Sequence, residues 1–382
     1  MPQPLQALPL EELRRRRSVK WRAYPEDVLP LFVAETDFPL APAVHDVLAE
    51  AVARGDTGYT PSDPGIRAAY AGFAARRFGW DVDARRIRST GDVMMGVVEL
   101  LRRLTRPGDR VVVTPPVYPP FFDCVAEAGA ETVSVPLVGL DDAPALDLAG
   151  IERAFAAGAR ALLLCNPHNP TGTVHAQTVL RELADIAHRH GAVVISDEIH
   201  APLAGRDFTP FLSASEIAAR VGYAVTSASK AFNLAGLKCA LIITADDATT
   251  AVVSSLPDEV EWRTGLFGAL AGTAAFSPAS DEWLDRLRAA ITANHALLAD
   301  LLADRIPGAR FRIPDAGYLA WVDLSALGWG DDPATRILRE GRVALHHGPR
   351  FGPGGEGHVR INVGCAPEVL TEAVRRIEVL VR

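Results

Sequence analysis

Five short apolar runs punctuate the middle of the chain: RVVVT (Arg110–Thr114), ALLLC (Ala161–Cys165), AVVIS (Ala192–Ser196), YAVTS (Tyr223–Ser227) and ALIIT (Ala240–Thr244). Each is too short for a helix and is bounded by turn residues, so each reads as a buried strand. Between them the pattern becomes helical. Met94, Met95, Val97, Val98, Leu100, Leu101 and Leu104 form one wide apolar face, in which the methionines read as core filling. A second helical stretch, Val179 to His190, stops at Gly191, a residue suited to a helix C-terminus. Strands alternating with helices predict an α/β fold with a largely parallel sheet covered on both faces.

After Ser277-Pro278 the texture changes. A long helical stretch, Glu282 to Asp304, precedes the strand-like YLAWVDL and HVRINV. That order predicts a smaller α+β domain over 278–382, following a large domain over 41–277. The first 40 residues carry little regular pattern and are expected to pack on the small domain. Internal repeats and low-complexity tracts are missing from the sequence. GPRFGPGGEGH (Gly348–His358) reads as an ordered Gly-rich loop.

Composition narrows the classes. A chain of 382 residues with net charge −8 is a poor general binder of nucleic acid or anionic membrane. Arg14 to Arg17 form the one basic cluster, read as a solvated face. The start lacks an apolar signal-peptide core, and no stretch approaches the ~20 apolar residues of a spanning helix. The expected location is therefore the cytoplasm. Cys124, Cys165, Cys239 and Cys365 lie far apart with no C-x-x-C pair. They read as buried free thiols in a reducing compartment, and no metal site is expected.

Lysine usage then points to chemistry. Of 39 basic residues only Lys20, Lys230 and Lys238 are lysines, and two of them fall in SASKAFNLAGLK (Ser227–Lys238). Lys230 stands among small and apolar residues, where desolvation lowers an amine's pKa and suits it to Schiff-base chemistry. Two further strand ends carry polar residues. CNPHNPTG (Cys165–Gly172) places two Asn-Pro steps after a strand, forcing a rigid turn. ISDEIH (Ile195–His200) places Asp197 and Glu198 past another. Ligands of α/β sheets bind at such strand ends. A plain strand–helix connection and a solvated loop account for the same residues singly. Asn, Asp and Lys at three successive strand ends form a more specific joint signal.

With these blocks in place, the sequence resembles the fold-type I pyridoxal-phosphate (PLP) enzymes of the aspartate aminotransferase superfamily. Within them it is most similar to the MalY/PatB branch of cystathionine β-lyases. The resemblance runs from RRRRSVKW through VAETDFPLAPAV, TGYTPSD, PGDRVVVTPPVYPPF, CNPHNPTGTV, VISDEIHAPL, SASKAFNLAGLK and GYLAWVDL to FGPGGEGHVRINVGC. It implies a large PLP-binding domain plus a small C-terminal domain, and α,β-elimination of an S-substituted L-cysteine to a thiol, pyruvate and ammonia.

The resemblance also implies residue roles. Lys230 would hold the cofactor covalently and move the Cα proton. Asp197 would pair with the pyridinium nitrogen. Asn169 and His200 would hydrogen-bond the ring's 3-oxygen, and Tyr118 would stack on the ring face. Gly91, Asp92 and Val93, at a turn entering a helix, would meet the phosphate with Ser227, Ser229 and Lys238; Asp92 would present its backbone rather than its carboxylate. Tyr59 would reach the phosphate of a neighbouring subunit, which implies a homodimer with shared sites. Arg360 would clamp the substrate α-carboxylate.

Two segments depart from the branch. It usually reads ADMDF where this chain has AETDF (Ala34–Phe38), and Thr where this chain has Gly317. Both are expected near the mouth of the site, where they would alter pocket shape and polarity. Rival readings remain open: an aminotransferase, a decarboxylating or oxidatively deaminating PLP enzyme on a cysteine-derived substrate, or a non-catalytic regulatory or binding protein on the same scaffold. Lys230, Asp197, Asn169 and Arg360 together speak against a dead site.

Overall fold

The structure, a computed structural model, describes residues 3–61, 65–205 and 207–381; Ser62 and Asp63 of the TGYTPSD block lie outside them. Seven strands form the main sheet: β1 (Ile87–Thr90), β2 (Arg110–Val113), β3 (Glu131–Ser134), β4 (Ala159–Cys165), β5 (Val193–Asp197), β6 (Gly222–Thr226) and β7 (Ala240–Ile243). Their order is β1-β7-β6-β5-β4-β2-β3. Strands β6 through β3 run parallel, and β7 runs antiparallel to both its neighbours. The expected largely parallel sheet is present, and each of the five apolar runs supplies one strand.

Two strands escaped the apolar pattern. The β1 sequence IRST is polar although buried, and the β3 sequence ETVS lies at the sheet edge with mostly exposed side chains. An edge strand needs no two-sided apolar content.

Alternation along the central strands divides the core into two layers. Leu162 and Leu164 of β4 join one cluster with Leu180, Leu183 and Ala187 of the helix Gln177–Arg189. Ala161, Leu163 and Cys165 join another, with Val97 and Leu101 of helix α1 (Val93–Leu104) and Phe121 of helix α2 (Pro120–Glu127). Successive strand side chains point to opposite faces, so a run apolar at every position requires cover on both.

The long helix spans Asp281–Arg305, and strands β8 (Arg310–Phe311), β9 (Leu319–Asp323), β10 (His346–His347) and β11 (His358–Asn362) follow it. They form an antiparallel sheet in the order β10-β11-β9-β8. The N-terminal segment is pinned here. Leu29–Pro30 pairs with Val343–Ala344, and the Asn362 amide donates to the carbonyls of Val33 at 2.7 Å and Glu35 at 2.6 Å.

Two expectations need correction. Arg16 of the basic run is half-buried and donates to the carbonyls of Thr36 at 3.2 Å and Phe38 at 3.3 Å, because the chain folds back beside it. Cys239 is half-buried rather than buried, since it lies just before β7 on a cavity wall; all four thiols are free.

Lys20 forms a fully buried ion pair with Asp37 at 2.7 Å and also donates to the Glu35 carbonyl at 3.1 Å. Removing one partner of such a pair leaves an uncompensated buried charge, at a cost of about 3–5 kcal/mol. Lys20→Ala is expected to lower unfolding stability by that order in urea titration. A loss below about 1 kcal/mol, the range of a surface pair, would refute it.

Candidate active site

The carboxyl ends of β4, β5 and β6 are adjacent, and the loops leaving them are stitched together. Asn166 N–H donates to the Asp197 carbonyl at 3.0 Å, and Glu198 N–H donates to the Val225 carbonyl at 2.8 Å. Asn169, Asp197 and Lys230 therefore converge on one cavity of about 630 Å³. His200, Tyr118, Gly91, Asp92, Val93, Ser227, Ser229, Lys238 and Arg360 line the same cavity. Of the residues expected to hold cofactor or substrate, Tyr59 alone does not line it. It stands 88% exposed on the outer surface, edge-on to Trp262 at 5.8 Å between ring centroids.

Burial sets the protonation states. Asp197 is 3% exposed. Its Oδ1 accepts the Ile199 N–H at 3.0 Å, and its other oxygen has no hydrogen-bond partner among the described residues. Burial pushes its carboxyl up to about 7 against the lowering pull of that bond and of Lys230. Such a carboxylate calls for a cationic partner in the cavity, and a protonated ring nitrogen meets that need. Burial, then the Arg360 charge, pulls the Lys230 amine down to about 8. Among the described residues the amine's one hydrogen bond is a long one, 3.4 Å to the Ala34 carbonyl, which leaves it available to an electrophile. Burial, with Lys230 and Arg360, holds His200 neutral at about 3. Burial raises the Tyr118 phenol to about 12, so it stays protonated.

Arg360, 3% exposed, projects from β11. Its Nη1 donates to Asn169 Oδ1 at 3.0 Å and its Nη2 to the Phe32 carbonyl at 3.1 Å, while the buried Nε has no hydrogen-bond partner among the described residues. Its charge centre lies 5.1 Å from the Phe351 ring. The bond from Arg360 occupies the Asn169 oxygen and leaves the amide N–H donors for a ligand oxygen.

At the opposite end, Asp92 caps α1: its Oδ1 accepts the Met95 N–H at 2.8 Å. Its Oδ2 pairs with Lys238 at 2.9 Å. The carboxylate is thus engaged by the helix and the lysine, which keeps a cation beside the first turn of α1, a favourable place for an anion. Ser227 Oγ donates to the Cys239 carbonyl at 2.6 Å and accepts the Ser229 N–H at 3.1 Å. Its hydroxyl proton is already committed to shaping the loop. The set fits PLP: a buried acid for the ring nitrogen, a free amine for the aldehyde, an amide for the ring oxygen and a cationic helix terminus for the phosphate.

The departing segments occupy different places. Thr36 and Glu35 do not line the cavity; Ala34 does. Thr36 is buried against Asn233, whose Oδ1 accepts the Thr36 N–H at 3.0 Å, and Glu35 accepts from Ser18 Oγ at 2.6 Å. The Glu35 side chain is thus held by the N-terminal segment, while the Thr36 side chain packs beside Gly364; neither takes the expected place at the mouth. Gly317 adopts φ +84°, a conformation that favours glycine, and a Cβ there would lie 3.9 Å from His200 Nδ1. The sequence reading missed Tyr24, Asp123, His346, His347 and Arg350, which also line the cavity. The adjacent histidines before the Gly-rich loop were the available signal.

With this geometry the wider likenesses become interpretable. Residues 26–377 match the model of the family described as aminotransferase class I and II. The chain belongs to that family. A Corynebacterium glutamicum protein named cystathionine beta-lyase is 38% identical, covering 96% of this chain and 98% of its own. A Mycobacterium leprae protein provisionally given the same name is 44% identical over 98% of this chain and 97% of its own. A crystal structure from Corynebacterium diphtheriae, provisionally described as a PLP-dependent beta-cystathionase, has TM-score 0.94 and 36% identity, covering 99% of each chain.

The Asp197 environment generates a pH signature in the cofactor-free protein. Its folded pKa of about 7 lies above the ordinary 3.8, so its contribution is intact below pH ~4 and is lost as pH rises through ~7. Relative to Asp197→Asn, wild-type Tm is expected to fall across that window and level off above pH ~8. A Tm difference that is the same at both ends would contradict it.

Proposed function

We propose that this chain is a PLP-dependent carbon–sulfur β-lyase. It cleaves an S-substituted L-cysteine of the cystathionine type, consuming water and yielding a thiol, pyruvate and ammonia. The observation that carries this reading is the meeting of Lys230, Asp197, Asn169 and Arg360 in one cavity. The names borne by relatives at 38–44% identity support it. Residues 41–277 would form the cofactor domain, and 278–382 the small domain on which 1–40 packs. The exposed Tyr59–Trp262 pair supports a homodimer in which Tyr59 reaches the partner's phosphate site. Among the described residues no helix is long and apolar enough to cross a membrane, and the cytoplasm is the proposed location.

When bound, PLP supplies an electron sink for the pair released at the substrate's Cα. Lys230 would hold the cofactor through its aldehyde and would take the substrate's Cα proton at Nζ. An amine with a pKa of about 8 accepts that proton near neutral pH and can give it up again. Asp197 would hold a proton on the ring nitrogen. Asn169 and His200 would hold the ring's 3-oxygen, and Tyr118 would lie against the ring. Lys238, Ser229 and the Gly91-Asp92-Val93 turn would hold the phosphate, with the Ser227 hydroxyl shaping the loop beside them. Arg360 fixes the α-carboxylate and so orients the Cα–H bond. Departure of a thiolate needs little acid assistance, because thiols are stronger acids than alcohols.

Lys230→Ala should abolish pyruvate and thiol release from L-cystathionine, together with the borohydride-sensitive visible band of the holoenzyme. Lys238→Ala should retain that band at saturating PLP and weaken cofactor binding about tenfold or more, the loss of one charge-assisted bond. Full turnover by the Lys230 variant, or amino transfer to a keto acid without pyruvate release, would reject the lyase reading.

A further inference from the structure

Five successive carbonyls of the N-terminal segment, Phe32 to Thr36, each accept a side-chain donor. Arg360 donates to Phe32 at 3.1 Å, Asn233 Nδ2 to Thr36 at 3.1 Å, and the Asn362 amide to both Val33 and Glu35. The carbonyl between the two Asn362 bonds, that of Ala34, is shared differently. It accepts the Tyr318 hydroxyl at 3.0 Å and the Lys230 amine at 3.4 Å, so one oxygen serves both donors.

Tyr318 is fixed by its backbone. It is fully buried just before β9. Gly317, at φ +84°, turns the chain into it, and His295 Nε2 donates to the Gly317 carbonyl at 3.0 Å. The Tyr318 carbonyl accepts the Val363 N–H at 2.9 Å. Burial keeps the phenol protonated, and Ala34 is its one hydrogen-bond partner among the described residues.

The shared oxygen decides how firmly the amine is held. Charged groups act on Lys230 from four sides: Arg360 of β11, Glu35 of this segment, Asp197 of β5 and Lys238 of its own loop. Each has another hydrogen-bond partner, so none donates to the Ala34 oxygen. His200, edge-on to Tyr318 at 6.2 Å between ring centroids, and Tyr118 share the cavity uncharged. Without the hydroxyl the segment would stay in place, because the neighbouring carbonyls keep their own donors. The Ala34 oxygen would then be left to the amine alone. A buried carbonyl in that position draws in a charged donor, since a bond from an ammonium is shorter and stronger than one from a neutral group and stabilises the charged form.

We infer that Tyr318 is a positioning residue for Lys230: by occupying the Ala34 carbonyl, its hydroxyl keeps the amine loosely held and free to react with an aldehyde. It does so without touching cofactor or substrate. The inference rests on the reading of Lys230 as the amine that holds PLP.

The rate at which cofactor-free protein gains its visible band on mixing with PLP, followed against pH, tests it. Tyr318→Phe should move the midpoint of that profile up by about half a pH unit or more and leave the rate at high pH within about twofold of the wild type. A tyrosine fluorinated beside its hydroxyl, placed at the same position, is a stronger donor of nearly the same shape and should move the midpoint down. A midpoint moved by neither replacement, or moved down by phenylalanine, overturns the positioning role and leaves the lyase reading standing. A loss of rate that is uniform across pH marks a merely structural role and overturns it equally. If Lys230→Ala gains the band as fast as the wild type, the reading of Lys230 fails and the inference with it.

Discussion

One guanidinium ties the molecule together at its site. Arg360 rises from the small sheet, donates to Asn169 beyond β4 of the large sheet, and donates to the Phe32 carbonyl of the N-terminal segment. Three parts of the chain, which also share one hydrophobic cluster, thus meet on one side chain. A planar fork suits this role because its donors diverge in fixed directions, as a lysine's do not. The contacts that brace the fold also set the orientation of the proposed carboxylate clamp. Buried as it is, the group is pulled down to about 10, chiefly by loss of water, and it remains charged at neutral pH.

Burial dominates throughout the cavity, but its sign depends on the group. It raises the acid Asp197 and lowers the bases Lys230 and His200. Each group moves toward its neutral form because removing charge from water is costly. The effect prepares distinct roles in a small space: a carboxyl waiting for a cation, an amine able to act as a nucleophile, and an imidazole that stays uncharged. Glu198, next to Asp197, follows the same rule at about 8 but is turned inward to Ser196 and the Phe211 N–H. Adjacent carboxyls of one strand end thus serve site and scaffold separately.

What was legible in the sequence follows from these forces. Strands buried on both faces declare themselves as unbroken apolar runs, so β2, β4, β5, β6 and β7 could be read, whereas the polar β1 and β3 could not. Lys230, Asp197 and Asn169 were legible because each follows such a run. Arg350 and Asp123 were not, because they sit on a turn and a helix surface where no periodic pattern marks them, and His346, on a two-residue strand, was marked only by its neighbour His347. The Asp92 carboxylate looked out of place beside a phosphate; its attachments to Met95 and Lys238 depend on chain direction at the helix start, which composition does not encode. The absence of Thr36 and Glu35 from the cavity wall has a similar reason, since their neighbours Gly364 and Ser18 are brought to them by the fold rather than by local sequence.

The scarcity of lysine has a chemical consequence for loading. An aldehyde condenses with accessible amines, whereas guanidinium groups remain protonated and inert toward it. Lys20 is locked against Asp37, and Lys238 is engaged by Asp92. Among the described side chains, that leaves Lys230 as the one amine both desolvated and without a charged partner at hydrogen-bond distance. By drawing nearly all its positive charge from arginine, the chain keeps its surface almost silent to an aldehyde reagent. The cofactor is addressed to its site by the near-absence of competing nitrogens as well as by the shape of the pocket.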